Sequence, residues 1–250
     1  MYTLKKSLGQ HFLRDEEIAK RIVAALPLTP GMQLLEVGPG AGALTCFLKD
    51  LDQVRFRALE IDEEKVAYLE SRYPDLKDRL IRGDILQADP PFNGAFSIIG
   101  NFPYNISSQI LFKVLDWKAL VPSVFGMFQK EVAQRIASKE GSRDYGILSV
   151  LIQANYDVTY LFDVPPEAFN PPPKVMSGVL RLTRRETPEA VSSDKKFKLL
   201  VKTAFNQRRK MLRNAVKGLF DPEFLKEDIF SKRAEQLSVA DFAGLSFKLK

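Results

Sequence analysis

From Gln33 onward the chain alternates between short apolar runs and amphipathic stretches, and that alternation leaves it few folds to adopt. Leu34-Leu35-Glu36-Val37, Val54 to Leu59, Leu80-Ile81-Arg82, Phe96 to Gly100 and Val124 to Phe128 read as strands. Helices are expected from the segment through Leu48, Glu63 to Tyr73, Ser107 to Leu115 and Lys130 to Ser138. Strands joined through helices need crossover connections, so the sheet is parallel with helices on both faces. The run Phe96-Ser97-Ile98-Ile99-Gly100 has the near-continuous apolar character that burial on both faces demands. Two further runs, Tyr156 to Phe162 and Val175 to Leu182, flank a proline-rich turn and are expected to add an antiparallel element. The fold class is therefore α/β.

In such sheets ligands bind beyond the carboxyl ends of the strands, so the residues placed there carry the functional reading. The first strand runs into Gly38-Pro39-Gly40-Ala41-Gly42, a loop that brings backbone close to a nucleotide-like ligand at a helix N-terminus. It is not a GxGxxG fingerprint. Read as Glu36-x-Gly38-x-Gly40-x-Gly42, it resembles the first motif of S-adenosylmethionine-dependent methyltransferases. Glu60, 22 positions past Gly38, closes the second strand and can accept two ribose hydroxyls. NAD-binding proteins share that feature, so the loop and Glu60 together leave the cofactor open. Asp84 closes the third strand. The fourth ends in Asn101-Phe102-Pro103-Tyr104, whose groups suit an aminopurine: an amide oxygen for an exocyclic amine, a proline-stiffened turn and a ring for stacking. Acidic residues, Asn and Pro are each ordinary at strand ends, as turn punctuation or solvated charge. The ordered set on consecutive strands favours methyl transfer over those readings.

Upstream, Asp15 is a candidate N-cap for a helix whose face is Ile18, Ile22, Val23 and Leu26, closed by Pro27, Pro30 and Gly31. Downstream, residues 184–195 are polar and read as a linker, followed by helical spacing at Phe197, Leu200, Val201, Ala204 and Phe205, then Met211, Leu212, Ala215, Val216 and Leu219. Two domains are expected, residues 1–185 and 190–250. Charge divides with them. Residues 181–250 hold 17 Lys+Arg against 9 Asp+Glu, a net of +8, although the whole chain is only +6. A basic helical segment behind a nearly neutral one points to a polyanion partner, most plausibly nucleic acid. One cysteine (Cys46) and one histidine (His11) exclude a disulfide framework and argue against a Cys/His metal site or a His-dependent nucleophilic triad. No apolar run reaches membrane-spanning length and no signal-peptide pattern opens the chain, so a cytoplasmic protein is expected.

Gly9-Gln10-His11-Phe12-Leu13, the Glu36–Gly42 loop, Glu60-Ile61-Asp62, Gly83-Asp84, Asn101-Phe102-Pro103-Tyr104-Asn105-Ile106, Phe169-Asn170-Pro171-Pro172-Pro173-Lys174-Val175 and Phe205-Asn206-Gln207-Arg208-Arg209-Lys210 together resemble the KsgA family of small-subunit ribosomal RNA adenine N6,N6-dimethyltransferases. The resemblance covers nearly the whole chain. It implies a class I, Rossmann-like methyltransferase fold with a mostly parallel seven-stranded sheet and a small all-helical C-terminal domain. The implied cofactor is S-adenosylmethionine, contacted by His11, Leu13, Gly38, Gly40, Glu60, Asp84 and Asn101. The implied partner is 16S rRNA in the small subunit or its precursor, dimethylated at two adjacent adenosines of the 3′-terminal hairpin, with a role in subunit biogenesis and no metal. A monomer is expected.

Within that reading the catalytic set is Asn101, Phe102, Pro103, Tyr104 and Phe169. Tyr104 and Phe169 are expected to form the two faces that hold the base, and the base must leave its stack to enter. Phe102 stands where bacterial members mostly carry leucine; because the site would use its backbone carbonyl, the change is expected to matter little. Arg208, Arg209, Lys210 and Arg213 are candidates for tracking phosphates, which position rather than specify. The rival readings are an Erm-type enzyme acting on large-subunit RNA, a non-catalytic RNA-binding assembly factor and a DNA adenine methyltransferase. The His11 segment and the Phe205–Lys210 motif disfavour the first, the intact Asn101–Tyr104 motif the second, and the lack of a sizeable target-recognition domain the third.

Overall fold

The computed structural model of the chain describes residues 11–250; Gly9 and Gln10 of the N-terminal motif lie outside the described residues. Two compact units are present. One runs to Ala133 and resumes over Thr159–Arg184, and the other comprises Gln134–Val158 and Arg185–Lys250. The second unit therefore draws on a mid-chain stretch as well as on the C-terminal region, unlike the consecutive 1–185 and 190–250 division read from composition.

The first unit opens with a two-residue strand, β1 (Phe12–Leu13), and α1 (Glu16–Ala24), whose cap Asp15 accepts from the Glu17 and Ile18 amides. There follow β2 (Met32–Val37), α2 (Thr45–Leu48), β3 (Val54–Glu60), α3 (Glu63–Arg72), β4 (Leu80–Arg82), β5 (Ser97–Asn101), α4 (Ser107–Asp116), β6 (Ser123–Gln129) and α5 (Lys130–Ala137). After an excursion into the second unit come β7 (Tyr156–Val164), β8 (Phe169–Asn170) and β9 (Ser177–Arg184). The seven-stranded sheet has the order β4-β3-β2-β5-β6-β9-β7. Pairs from β4 through β6 are parallel and β9 runs antiparallel to β6. The alternation of apolar runs and helices thus reads the architecture correctly. The apolar residues that define it are the buried ones: Leu34, Leu35, Ala58, Ile98, Ile99, Val124 and Phe125 are at most 1% exposed.

Topology places the site. Successive strands are laid outward from β2 in one direction (β3, β4) and from β5 in the other (β6), so the order reverses between β2 and β5 and a crevice opens beyond their carboxyl ends. Close approach there requires glycine. A Cβ on Gly100 would lie 2.6 Å from the Val37 carbonyl oxygen, and one on Gly126 would lie 2.6 Å from the Phe128 ring. Those two glycines also make room for the Phe102 ring, which packs edge-on against Phe128 with centroids 5.2 Å apart.

The second unit is helical: α6 (Ile147–Gln153), α7 (Asp194–Asn206), α8 (Leu212–Ala215) and α9 (Val239–Ser246), with short 3-10 turns at Phe224–Lys226, Asp228–Ser231 and Ala234–Gln236. Phe197, Leu200, Val201, Leu212, Val216, Phe220, Phe230 and Phe242 fill its interior, as their spacing demands. The polar segment 184–195 is not a free linker. The Arg185 and Glu189 amides donate to the carbonyls of Asn155 and Ala154, and Ser192 bonds twice to Ser246. Its polarity reflects an exposed outer face, while the backbone is docked. No helix among the described residues is long and apolar enough to cross a membrane.

Candidate active site

Four strand ends meet at one cavity. His11, Leu13, Gly38, Gly40, Glu60, Asp84, Asn101, Phe102, Pro103 and Tyr104 all line it, as do Glu36 and Ile61. The loop after β2 turns on Gly38, Gly40 and Gly42, with φ of 70°, 57° and 87°, the left-handed region that disfavours any Cβ. Gly40 is doubly constrained, because an added Cβ would meet the Phe12 ring at 2.9 Å.

Two carboxylates sit under this loop. Glu60 is 6% exposed; one oxygen accepts from the Gly40 amide at 3.0 Å and the other from the Asp62 amide at 2.9 Å. Burial raises its pKa, and those backbone donors oppose the rise. Each oxygen keeps further acceptor capacity for a ligand hydroxyl. Glu36, 1% exposed, accepts from the Thr45 hydroxyl at 2.7 Å. Burial pushes its pKa up to about 8, against the Thr45 hydrogen bond and with help from the negative charge of Glu60. Asp84 uses one oxygen to cap the Leu86 amide at 2.9 Å. Ile61 is 54% exposed, an apolar surface on the cavity wall that the sequence reading quoted only as part of a motif.

The Asn101 amide has a fixed orientation. Its Nδ2 donates to the His11 carbonyl oxygen at 3.0 Å, a bond only the NH2 end can make, so Oδ1 is the remaining pole and is available as an acceptor. His11 is itself held, because its Nδ1 donates to the Pro171 carbonyl at 2.9 Å and its ring lies 5.5 Å from that of Tyr104. The segment around His11 is fastened by the β1–β8 pair, with Phe12 opposite Asn170 and Leu13 opposite Phe169. Tyr104 is half-buried, and its hydroxyl bonds to Ser177 Oγ at 2.5 Å.

Two candidates sit differently from the others. Phe169 is 1% exposed within the core that includes Leu13, Ile18 and Ile22, and it is not among the residues that line the cavity. In the register pair Leu13–Phe169, Leu13 is the residue that reaches the cavity wall. Arg208 has partners within its own unit. It donates to the Ser142 carbonyl at 3.3 Å and pairs with Glu235 at 3.7 Å, tying together segments of the second unit. Arg209, Lys210 and Arg213 are exposed. An isolated bridge between Met211 and Arg233 brings exposed Lys232 and Arg233 beside them, an adjacency that the separation along the chain conceals. Among the described residues no cluster suited to a metal ion occurs.

Comparison with known proteins agrees with this geometry. A family model described as ribosomal RNA adenine dimethylase matches residues 1–247. Proteins named ribosomal RNA small subunit methyltransferase A are 53% identical in Flavobacterium johnsoniae, covering 98% of this chain and 95% of that one, and 52% identical in Phocaeicola vulgatus, covering 97% and 88%. Among solved structures, a dimethyladenosine transferase from Plasmodium falciparum superposes with a TM-score of 0.79 at 25% identity, covering 93% of this chain and 94% of that one. The 23S rRNA methyltransferase ErmE gives 0.68 at 25% identity, covering 93% and 99%. With a mostly parallel seven-stranded sheet, an ordered set of strand-end residues and a full-length family match, this chain is a member of the ribosomal RNA adenine dimethylase family.

Proposed function

We propose that the protein transfers methyl groups from S-adenosylmethionine to N6 of two adjacent adenosines in the 3′-terminal hairpin of small-subunit (16S) rRNA, acting as a cytoplasmic monomer during subunit biogenesis. The observation that carries the reading is the Asn101 amide, whose NH2 end is taken by the His11 carbonyl so that its oxygen is left to accept, in a cavity that Tyr104 also lines.

The residues present fit the donor. Glycines replace side chains where a nucleoside-sized ligand must pass, Glu60 offers anchored acceptors for ribose hydroxyls, Asp84 offers an acceptor for an adenine amine, and Ile61 offers an apolar wall. Bound there, S-adenosylmethionine supplies an electrophilic methyl group on a sulfonium centre. The protein must then make a poor nucleophile attack it, since the adenine N6 lone pair is delocalised into the ring. Asn101 Oδ1 and the Phe102 carbonyl each accept one N6 hydrogen, drawing the nitrogen toward tetrahedral geometry and turning its lone pair out of conjugation. Asn101 is neutral and is no strong base, so rate enhancement comes from positioning and electrostatics, and the proton departs after transfer. The second transfer has one N–H fewer to hold, which leaves more of the positioning to stacking on Tyr104. Arg209, Lys210 and Arg213, with Lys232 and Arg233 beside them, supply cations for the RNA backbone.

The small-subunit substrate is favoured over the Erm-type one by identity: 52–53% to the small-subunit enzymes against 25% to ErmE. The test is mapping of modified adenines by primer extension after incubation with unmethylated small subunits, free large-subunit RNA and DNA. Adjacent dimethyladenines in the small-subunit hairpin alone are expected. Modification of large-subunit RNA alone would overturn the substrate, and binding to subunits without methyl transfer would overturn the catalytic reading.

A further inference from the structure

β9 is the strand of the sheet that runs against β6, so its first residue, and not its last, arrives at the crevice. That residue is Ser177, fully buried and opposite Gln129 in register. Its hydroxyl reaches past the end of β6 to the Tyr104 hydroxyl, 2.5 Å away, on the segment that follows β5. The platform behind it is stiff. The Lys130 amide donates to the Met176 carbonyl at 2.9 Å, and Gly178 has no room for a Cβ because the Tyr160 hydroxyl lies against it. Tyr160 in turn donates to Asp163, which pairs with Lys130 Nζ at 2.6 Å. At its other end Tyr104 is held through its carbonyl, which accepts from the Ser107 hydroxyl at 3.2 Å. A tyrosine ring pinned only at its backbone can swing about χ1 between staggered wells. A hydrogen bond at the para oxygen, which lies on the ring's long axis, fixes where that axis points.

We propose that Ser177 is a positioning residue for methyl transfer: its hydroxyl fixes the direction of the Tyr104 ring axis, and through it the ability to complete the second methylation. This rests on the proposed adenine N6 chemistry. The first transfer is oriented by two N–H bonds and the ring; the second has one N–H bond and the ring. Loosening the ring therefore penalises the second step more than the first. A general loss of folded protein lowers both in proportion and leaves their ratio alone.

The experiment uses the full chain with S-adenosylmethionine and unmethylated small subunits, and follows N6-methyl- and N6,N6-dimethyladenosine by mass spectrometry at matched total turnover. Ser177→Ala is expected to raise the mono-to-dimethyl ratio about fivefold, the equivalent of one neutral hydrogen bond. Ser177→Thr keeps a hydroxyl and should restore the ratio. Tyr104→Phe removes the other end of the same bond and should match Ser177→Ala, with the double variant no worse than either, since the two act through one interaction. Should Ser177→Ala fail to fold, Tyr104→Phe decides. An unchanged product ratio in Tyr104→Phe, or additive effects in the double variant, would overturn the proposal. Absence of any adenine methylation by the unmodified protein would overturn the underlying reading as well, which separates the two failures.

Discussion

Replacing Asn101 by aspartate tests whether this side chain acts by geometry or as a base. The Asn101 Nδ2 lies 3.0 Å from the His11 carbonyl oxygen, so an ionised aspartate sets two acceptors against each other at that distance. The lost hydrogen bond and the unsatisfied, repelling pair cost about 1–3 kcal/mol. If that cost is carried into the transition state, methyl transfer falls roughly 5- to 150-fold. Protonation repairs the geometry, because the carboxylic O–H can donate to His11 while its carbonyl accepts the adenine N6 hydrogen. The activity of Asn101→Asp relative to the unmodified protein should therefore climb as pH falls, by up to about tenfold per unit while the carboxylate predominates. The assay is single-turnover methyl transfer to small-subunit RNA from about pH 5.5 to 8.5, taken as the ratio of variant to unmodified protein at each pH. A ratio that rises with pH would show the carboxylate working as a base and refute the argument from the locked amide.

Three further outcomes follow from the same geometry. Gly40→Ala forces a Cβ to 2.9 Å from the Phe12 ring at a φ of 57°, a backbone penalty of about 1–2 kcal/mol before Phe12 moves; titration calorimetry should find donor affinity reduced at least about tenfold. Glu36 has its folded pKa raised to about 8, so its contribution to stability is fully present below the unfolded value near 4.5 and is lost as pH rises toward 8. Denaturant unfolding of Glu36→Gln should therefore gain on the unmodified protein by about 1.4 kcal/mol per pH unit in that window, and a flat difference would contradict the burial argument. The Tyr145 hydroxyl is buried without a hydrogen-bond partner among the described residues, so Tyr145→Phe should raise the melting temperature by about 2–4 °C, the worth of roughly 1 kcal/mol; a lower melting temperature would mean the hydroxyl is satisfied.

The strand ends were readable because their signals are local. Apolar runs, glycine turns and the Asp15 cap depend on neighbours a few residues away, and the structure places Gly38, Glu60, Asp84 and Asn101 around one cavity. What escaped the sequence depends on register and on distant partners. Phe169 looks like a free aromatic beside rigid prolines, but pairing with Leu13 commits its ring to the core. Arg208 looks like one more cation in a basic run until Ser142 and Glu235 claim it. The stretch 134–158 carries no mark of its membership in the second unit, because that is decided by packing against residues that follow later. Ser177 is visible only once β9 is known to be antiparallel. Phe102 is buried at 1% exposure, and its ring is accommodated by Gly100 and Gly126, which nothing in the local sequence announces.

The central claim is that Asn101, held by His11, presents the adenine amine for two successive methyl transfers. Its most direct test is a count of N6,N6-dimethyladenosine per small-subunit RNA by mass spectrometry, for the unmodified protein and for Asn101→Ala, with donor binding measured in parallel. Two dimethyladenosines per RNA are expected with the unmodified protein and none with Asn101→Ala, even at donor concentrations that saturate the variant. Dimethyladenosine formed by Asn101→Ala at the unmodified rate would contradict the claim.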